Sequence, residues 1–157
     1  MKLKTGDAAP DFELDDQNGK VRRLSEFRGK KILLYFYPRD NTPGCTTEAC
    51  QLRDNFPKFG KINAVVLGIS TDSVESHKKF AQKYQLPFTL LADINKKVVK
   101  AYGVWQTKKF MGREFMGTVR TSFLIDERGK IVKIYEKVKP PVHAQEVLQD
   151  LKNQSNP

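Results

Sequence analysis

Residues 31–50 read KILLYFYPRDNTPGCTTEAC, which predicts a buried strand, a turn and the start of a helix. The run 31–37 is apolar on both faces and rich in strand-forming residues, as expected for a central strand covered on both sides. Pro38 ends this strand. Residues 45–56 contain no helix breaker, so a helix is predicted there. Cys45 therefore lies in the first turn of a helix that follows a central strand.

Apolar strands alternate with helical segments along the rest of the chain, which predicts an α/β domain with helices packed on a central sheet. Further strands are predicted at 64–69, 88–91, 122–125 and 131–135, and further helices at 72–84, 95–102 and after Pro140-Pro141. An N-terminal β-hairpin is expected, because residues 12–14 and 21–24 flank a turn that contains Asn18-Gly19. Residues 1–157 show no linker or repeat, so they are expected to form a single domain.

The chain of 157 residues has 28 Lys and Arg against 18 Asp and Glu, a formal net charge of +10. The basic residues are scattered in twos and threes, which favours a solvated basic surface over a specific nucleic-acid site. No apolar run approaches the roughly 20 residues needed to cross a bilayer. The charged N-terminal residues are unlike a secretory signal. We therefore expect a soluble, cytoplasmic protein with no membrane partner.

The two cysteines, Cys45 and Cys50, are the residues that point to chemistry. A closely spaced pair in an intracellular chain suggests redox function. The first helical turn carries unpaired backbone N–H groups and the positive end of the helix dipole, and both stabilise a thiolate at Cys45. The same N–H groups can bind an oxygen atom of an incoming substrate. The Thr42 hydroxyl is near enough in sequence to hydrogen-bond that substrate as well.

The spacing of Cys45 and Cys50 restricts how they can react with each other. In an intact helix their Cα atoms would lie about 8.6 Å apart, with the side chains on different faces. A disulfide requires roughly 4.4 to 6.8 Å between Cα atoms. Oxidation of the pair therefore requires the turn between them to unwind, which is unlike a C-x-x-C pair on one helical face. Free cysteines are often simply buried apolar residues, and this alternative is stronger for Cys50 than for Cys45.

Other residue types give weaker signals. His77 and His143 are remote in sequence and produce no four-ligand metal site at a usual spacing, so no metal is expected and both are interpreted as surface residues. Trp105, Phe110 and Phe115 are assigned to core packing in preference to a substrate entrance. Residues 108–118 are expected to form a loop that shapes the substrate pocket.

The pattern Pro38-x-x-x-Thr42-x-x-Cys45 resembles the P-x-x-x-T-x-x-C signature of the peroxiredoxins. The continuation through residues 46–50 is similar to the bacterioferritin-comigratory-protein, or Q-type, branch of that family. The likeness covers nearly the whole chain, from Gly6 to Asp126 in the segments that carry it. It implies a thioredoxin-like fold with a central mixed β-sheet flanked by helices.

The resemblance also implies a thiol-dependent peroxidase that reduces hydrogen peroxide and organic hydroperoxides without a cofactor. Cys45 would attack the peroxide and become a sulfenic acid. Cys50 would then resolve it as an intramolecular disulfide, and thioredoxin or a similar dithiol protein would reduce that disulfide. Because this disulfide needs no partner subunit, a monomer or weak dimer is expected.

Four further residues receive roles from the resemblance. Pro38 would shield the Cys45 sulfur from bulk water, and Thr42 would hold the peroxide. Arg120 would stabilise the thiolate and the transition-state oxygen, and Glu48 would orient Arg120 or the substrate. Two alternatives remain at this point: a thioredoxin-like disulfide exchange protein, which would ordinarily carry C-x-x-C, and a basic stress-related binding protein.

Overall fold

The computed structural model describes residues 2–155, which form nine strands and five α-helices. The strands are β1 (Glu13–Asp16), β2 (Val21–Arg23), β3 (Lys31–Phe36), β4 (Ala64–Ser70), β5 (Thr89–Ala92), β6 (Trp105–Phe110), β7 (Arg113–Thr118), β8 (Thr121–Ile125) and β9 (Ile131–Tyr135). The helices are α1 (Pro43–Asp54), α2 (Phe56–Lys61), α3 (Val74–Tyr84), α4 (Lys97–Ala101) and α5 (His143–Ser155), and a short 3-10 helix covers Leu24–Phe27. In these residues no helix is long and apolar enough to span a bilayer.

Seven strands form one mixed sheet in the order β2-β1-β5-β4-β3-β8-β9. The inner strands β3, β4 and β5 are parallel, as expected where helices cover both faces. The outer strands pair antiparallel, including the predicted N-terminal hairpin of β1 and β2. The α/β, thioredoxin-like architecture expected from the sequence is confirmed.

The side chains of β3 alternate between two apolar clusters on opposite faces of the sheet. Leu33 and Tyr35 belong to the first cluster, together with side chains of α1, α2, α3 and α5. Leu34 and Phe36 belong to the second, together with side chains of α4 and the 3-10 helix. All four are at most 1% exposed. The period of two along a strand therefore explains why this run is apolar throughout.

The pairing of β3 with β8 brings the loop that leads to α1 next to Arg120. Phe36, the last residue of β3, pairs with Thr121, the first residue of β8. The loop that leads to α1 leaves the sheet just after Phe36, and Arg120 lies just before Thr121. Residues more than 80 positions apart in sequence thus meet at one edge of the sheet.

Two predicted boundaries are corrected by the structure. The cysteine helix ends at Asp54, and Pro57 lies in the first turn of α2, where its missing N–H removes no helical hydrogen bond. Residues 108–118 belong to the β6–β7 hairpin and are not a loop. The sequence does not reveal this hairpin because both of its faces are largely exposed and carry no apolar alternation.

The assignments of histidine and aromatic residues are also corrected. His77 and His143 are 0% and 1% exposed and are not surface residues. Phe110 and Phe115 are 68% and 47% exposed on the hairpin and do not pack in the core. Trp105 is partly buried against the second apolar cluster.

Candidate active site

Cys45 occupies the first turn of α1, where the sequence predicted it. Thr42 is the N-cap residue and Pro43 is the first helical residue, a position that suits proline because no helical N–H is lost there. The Thr42 side chain makes no hydrogen bond to the helix, so the N–H groups of this turn stay available to a ligand. The Cys45 side chain is free and only 2% exposed. The thiol is therefore held at the positive end of a helix and largely shielded from water.

Arg120 reaches Cys45 from the opposite side of the site. Its Nη2 atom donates a hydrogen bond to Cys45 Sγ at 3.3 Å, and its Nη1 atom donates to Glu48 Oε1 at 2.7 Å. A Cβ atom on Gly44 would lie 3.0 Å from Arg120 Nη2, so a side chain at this position would displace the guanidinium. A cation therefore lies in direct contact with the sulfur. Sequence reasoning placed both residues in the site, and the structure brings them together.

Glu48 lies one helical turn after Cys45 and is 1% exposed. Burial raises the pKa of its carboxyl to about 7, although the adjacent Arg120 acts in the opposite direction. Its Oε1 atom accepts the Arg120 hydrogen bond, whereas its Oε2 atom has no partner within the described residues. The carboxyl thus holds the guanidinium against the sulfur and also carries a buried acceptor with unused capacity.

Thr42 and Pro38 lie in the loop between β3 and α1, and both are partly buried. The Thr42 hydroxyl donates its proton to the carbonyl of Arg39 at 2.9 Å. Its oxygen lone pairs are consequently free to accept a hydrogen bond from a ligand. β3 ends at Phe36, one residue earlier than predicted, and Tyr37 separates the strand from Pro38.

Cys50 is also a free thiol, and it is partly buried in the middle of α1. Both cysteines lie within one continuous helix, the arrangement in which their Cα atoms are too far apart to be bridged. Between them Ala49 is fully buried in the first apolar cluster. Disulfide formation therefore requires α1 to unwind and Ala49 to leave the core.

Lys108 on β6 is a site residue that sequence reasoning missed. Its Nζ atom donates a hydrogen bond to the Thr118 carbonyl at 3.0 Å. Burial, and then the positive charge of Arg120, lower the pKa of Lys108, and Cys45 partly opposes this effect. A second cation thus lies near the sulfur. No signal in the sequence distinguishes it from the other lysines, because the hairpin that positions it was not predicted.

A reactive thiol at a helix start, on a sheet of this topology, defines the thioredoxin-like thiol oxidoreductases. The AhpC/TSA family model matches residues 5–134. The chain is 48% identical over 155 residues to peroxiredoxin Bcp of Bacillus subtilis strain 168, with 99% of both chains covered. It therefore belongs to the AhpC/TSA family and is a thiol-dependent peroxidase.

Solved structures agree with this assignment. A cysteine mutant of Xylella fastidiosa PrxQ superposes with a TM-score of 0.94 at 36% identity, covering 99% of both chains. The bacterioferritin comigratory protein of Xanthomonas campestris, described as having alkyl peroxide reduction activity, gives a TM-score of 0.87 at 35% identity and covers 92% of both chains. The predicted peroxiredoxin resemblance is confirmed, and it replaces the disulfide-exchange and binding-protein alternatives.

Proposed function

We propose that Cys45 is the cysteine that reduces the hydroperoxide. The observation that carries this role is the 3.3 Å contact between its sulfur and the Arg120 guanidinium at the start of α1. The thiolate attacks one peroxide oxygen, a sulfur–oxygen bond forms and the oxygen–oxygen bond breaks. The sulfur becomes a sulfenic acid, and the leaving oxygen takes up a proton to form water or an alcohol.

The neighbouring residues prepare this step. Arg120 stabilises the thiolate and the negative charge that develops on the leaving oxygen. Thr42 accepts a hydrogen bond from the peroxide O–H through its free lone pairs, since its own proton is donated to the Arg39 carbonyl. Glu48 orients Arg120 through the 2.7 Å bond, and Pro38 limits access of water to the sulfur.

Cys50 is the proposed resolving cysteine. After α1 unwinds, its sulfur attacks the sulfenic acid of Cys45, a disulfide forms and water leaves. A dithiol protein, thioredoxin or one similar to it, then takes over the disulfide by exchange. The net reaction converts one hydroperoxide and one dithiol into an alcohol, or water in the case of hydrogen peroxide, together with water and a disulfide.

We further propose hydrogen peroxide and organic hydroperoxides as substrates; the alkyl peroxide activity of the Xanthomonas relative supports the latter. Residues 1–157 are proposed to form one domain, of which 1, 156 and 157 lie outside the described residues. The protein is proposed to be a cytoplasmic monomer or weak dimer with no specific nucleic-acid partner. Sedimentation at several protein concentrations tests the oligomeric state.

The decisive assay measures NADPH oxidation coupled through thioredoxin reductase and thioredoxin to peroxide reduction. We expect turnover by the wild type, none by Cys45→Ser and strongly reduced turnover by Cys50→Ser. A single-turnover control separates the two roles, because Cys50→Ser should still consume one equivalent of peroxide and accumulate a trappable sulfenic acid. Full turnover by Cys45→Ser, or no single turnover by Cys50→Ser, would contradict the assignment.

A further inference from the structure

A second group of buried polar side chains lies behind the β3–α1 loop. Its centre is His77 on α3, which is 0% exposed and faces Asp40 in that loop. Asp40 is itself only 8% exposed. The reaction proposed above uses neither residue, although Asp40 lies between Pro38 and Thr42 in the chain.

The hydrogen bonds of His77 determine where its protons lie. Nε2 is 2.9 Å from the Leu91 carbonyl, which can only accept, so Nε2 carries a proton. Nδ1 is 2.7 Å from Asp40 Oδ2, and the Asp40 oxygens also accept hydroxyl protons from Tyr37 at 2.6 Å and Ser76 at 2.8 Å. The 2.7 Å contact between Nδ1 and Asp40 Oδ2 requires one proton between these two atoms. His77 and Asp40 therefore form a buried, hydrogen-bonded pair.

The backbone of Asp40 is fixed separately. Its N–H donates to Asp72 Oδ2 at 2.8 Å, and the Ser70 hydroxyl donates to the same oxygen at 2.6 Å. This N–H belongs to the same peptide group as the Arg39 carbonyl. The other side of that rigid peptide plane accepts the Thr42 hydroxyl proton at 2.9 Å. A rotation of this one peptide would therefore turn the Thr42 hydroxyl away from its present direction.

We propose that His77 is a positioning residue for the peroxide step, acting through Asp40 and the Arg39–Asp40 peptide on the Thr42 hydroxyl. The pair holds the side chain of Asp40, and Asp72 holds its N–H, so the peptide plane has one orientation. With its proton committed to the Arg39 carbonyl, Thr42 presents only lone pairs to the substrate. This inference rests on the role of Thr42 proposed above.

A different use of the same atoms is less consistent with their geometry. Ligand-type atoms of Asp40, Asp72 and His77 lie within 4.8 Å of one another, as they would around a metal ion. Each of these groups already makes hydrogen bonds within the network. A hydrogen-bond network of this kind favours one conformation, which is the property that a positioning role needs.

The test is a double-mutant cycle on the rate of Cys45 oxidation in single-turnover stopped flow, with wild type, Thr42→Val, His77→Gln and the double variant. We expect His77→Gln to slow oxidation on the order of ten- to a hundredfold, as small displacements of a reacting group do. The double variant should oxidise within about twofold of Thr42→Val alone, because the two changes remove one function. Asp72→Ala, at a partly buried position, replaces His77→Gln in the cycle if the latter does not fold.

Tyr102→Phe is the matched control. It removes a buried hydrogen bond to the Pro10 carbonyl at 2.6 Å on the opposite face of the sheet and should leave the oxidation rate unchanged. If Thr42→Val is slow but the effects of the two changes multiply, His77 acts only on general stability and the inference is overturned. A Thr42→Val protein that oxidises at the wild-type rate overturns the role of Thr42 and the inference with it.

Discussion

Among single residues, Glu48 gives the sharpest prediction for pH dependence. Burial raises the pKa of this carboxyl from 4.5 to about 7, so the folded state holds its proton over a range where the unfolded state has released it. Folding stability must then fall as pH rises from about 4.5 to about 7 and change little above that. At about 1.4 kcal/mol per pKa unit, this loss is roughly 3 kcal/mol.

Glu48→Gln isolates this effect, because glutamine keeps the shape of the side chain but does not titrate. We expect the wild type to lose roughly 3 kcal/mol of unfolding free energy relative to Glu48→Gln between pH 4.5 and 7. Urea unfolding of both proteins between about pH 4 and 8 measures the difference, in which the other carboxyls cancel. Parallel pH curves for the two proteins would show that burial does not raise this pKa.

The His143 ring should be neutral at neutral pH. Burial, opposed by Glu146, lowers the pKa of this ring, whose Nε2 lies 2.8 Å from the Ser122 hydroxyl oxygen. Because the chain has only two histidines, nitrogen NMR of a histidine-labelled sample gives two ring systems, and His77→Gln assigns them. A His143 ring with protons on both nitrogens at pH 7 would contradict this prediction.

Sequence reasoning proposed Cys45, Thr42 and Arg120 as site residues, but it gave no role to His77. Cys45 and Thr42 carry local signals at a helix start, and Arg120 received its role from the family resemblance. The partners of His77 lie 37 and 14 positions away in sequence, and no local spacing connects them. Its burial depends on tertiary packing, so the polar neighbours Lys78 and Lys79 wrongly indicated a surface position.

At the level of secondary structure, the residues of α1 favour unwinding of its N-terminal half. Its first half contains Thr46 and Thr47, whose β-branched side chains lower helix propensity, and the Thr47 hydroxyl bonds back to the Pro43 carbonyl at 3.0 Å. Its second half is held by buried Leu52 and by the Arg53 hydrogen bond to the Tyr84 carbonyl at 2.8 Å. Unwinding should therefore begin at the cysteine end.

Hydrogen exchange can measure this opening. When one equivalent of peroxide joins Cys45 to Cys50, we expect amides of residues 46–52 to lose protection, because the disulfide cannot fit an intact helix. Cys50→Ser treated in the same way is the control and should keep its protection. Unchanged protection in the oxidised wild type would contradict the unwinding step.

Elements with a buried face were predictable, and so was the largely exposed β1–β2 hairpin from its Asn-Gly turn, whereas exposed elements without such a turn signal were not. β3 and β4 stand out because both of their faces are covered, and α3 buries His77, Phe80 and Ala81. The β6–β7 hairpin has no such face, and α2 is a short helix with Pro57 in its first turn. The prediction continued the cysteine helix too far because it took Pro57 as a helix end, whereas this proline lies in the first turn of the next helix. It missed the hairpin because exposed charged residues give no apolar alternation.

At the scale of the whole molecule, the two apolar clusters on opposite faces of the sheet should have different roles. The first contains Cys45 and includes side chains of α1, the helix proposed to unwind, whereas the second packs α4 and the 3-10 helix on the far face. Stability contributed by the second cluster should not depend on the redox state of the cysteines. The site can open on one face while the other keeps the strands in place.

Leu34→Ala tests this division, since Leu34 is 0% exposed in the second cluster. We expect a loss of roughly 2–5 kcal/mol of unfolding free energy from lost burial and cavity formation. The rate of Cys45 oxidation per folded molecule should stay at the wild-type value. Urea unfolding and stopped-flow oxidation on the same preparation measure both quantities, and a slower oxidation would show that the far face also shapes the site.

The pairing of Phe36 with Thr121 has an evolutionary consequence. The loop that leads to Cys45 begins right after Phe36, and Arg120 directly precedes Thr121. The register of β3 against β8 therefore sets the distance between this loop and Arg120. A one-residue slip would point every β8 side chain to the opposite face. Insertions and deletions in this lineage should therefore collect in the β6–β7 hairpin tip and the outer turns. The segments that join this pair to Cys45 and Arg120 should keep their length.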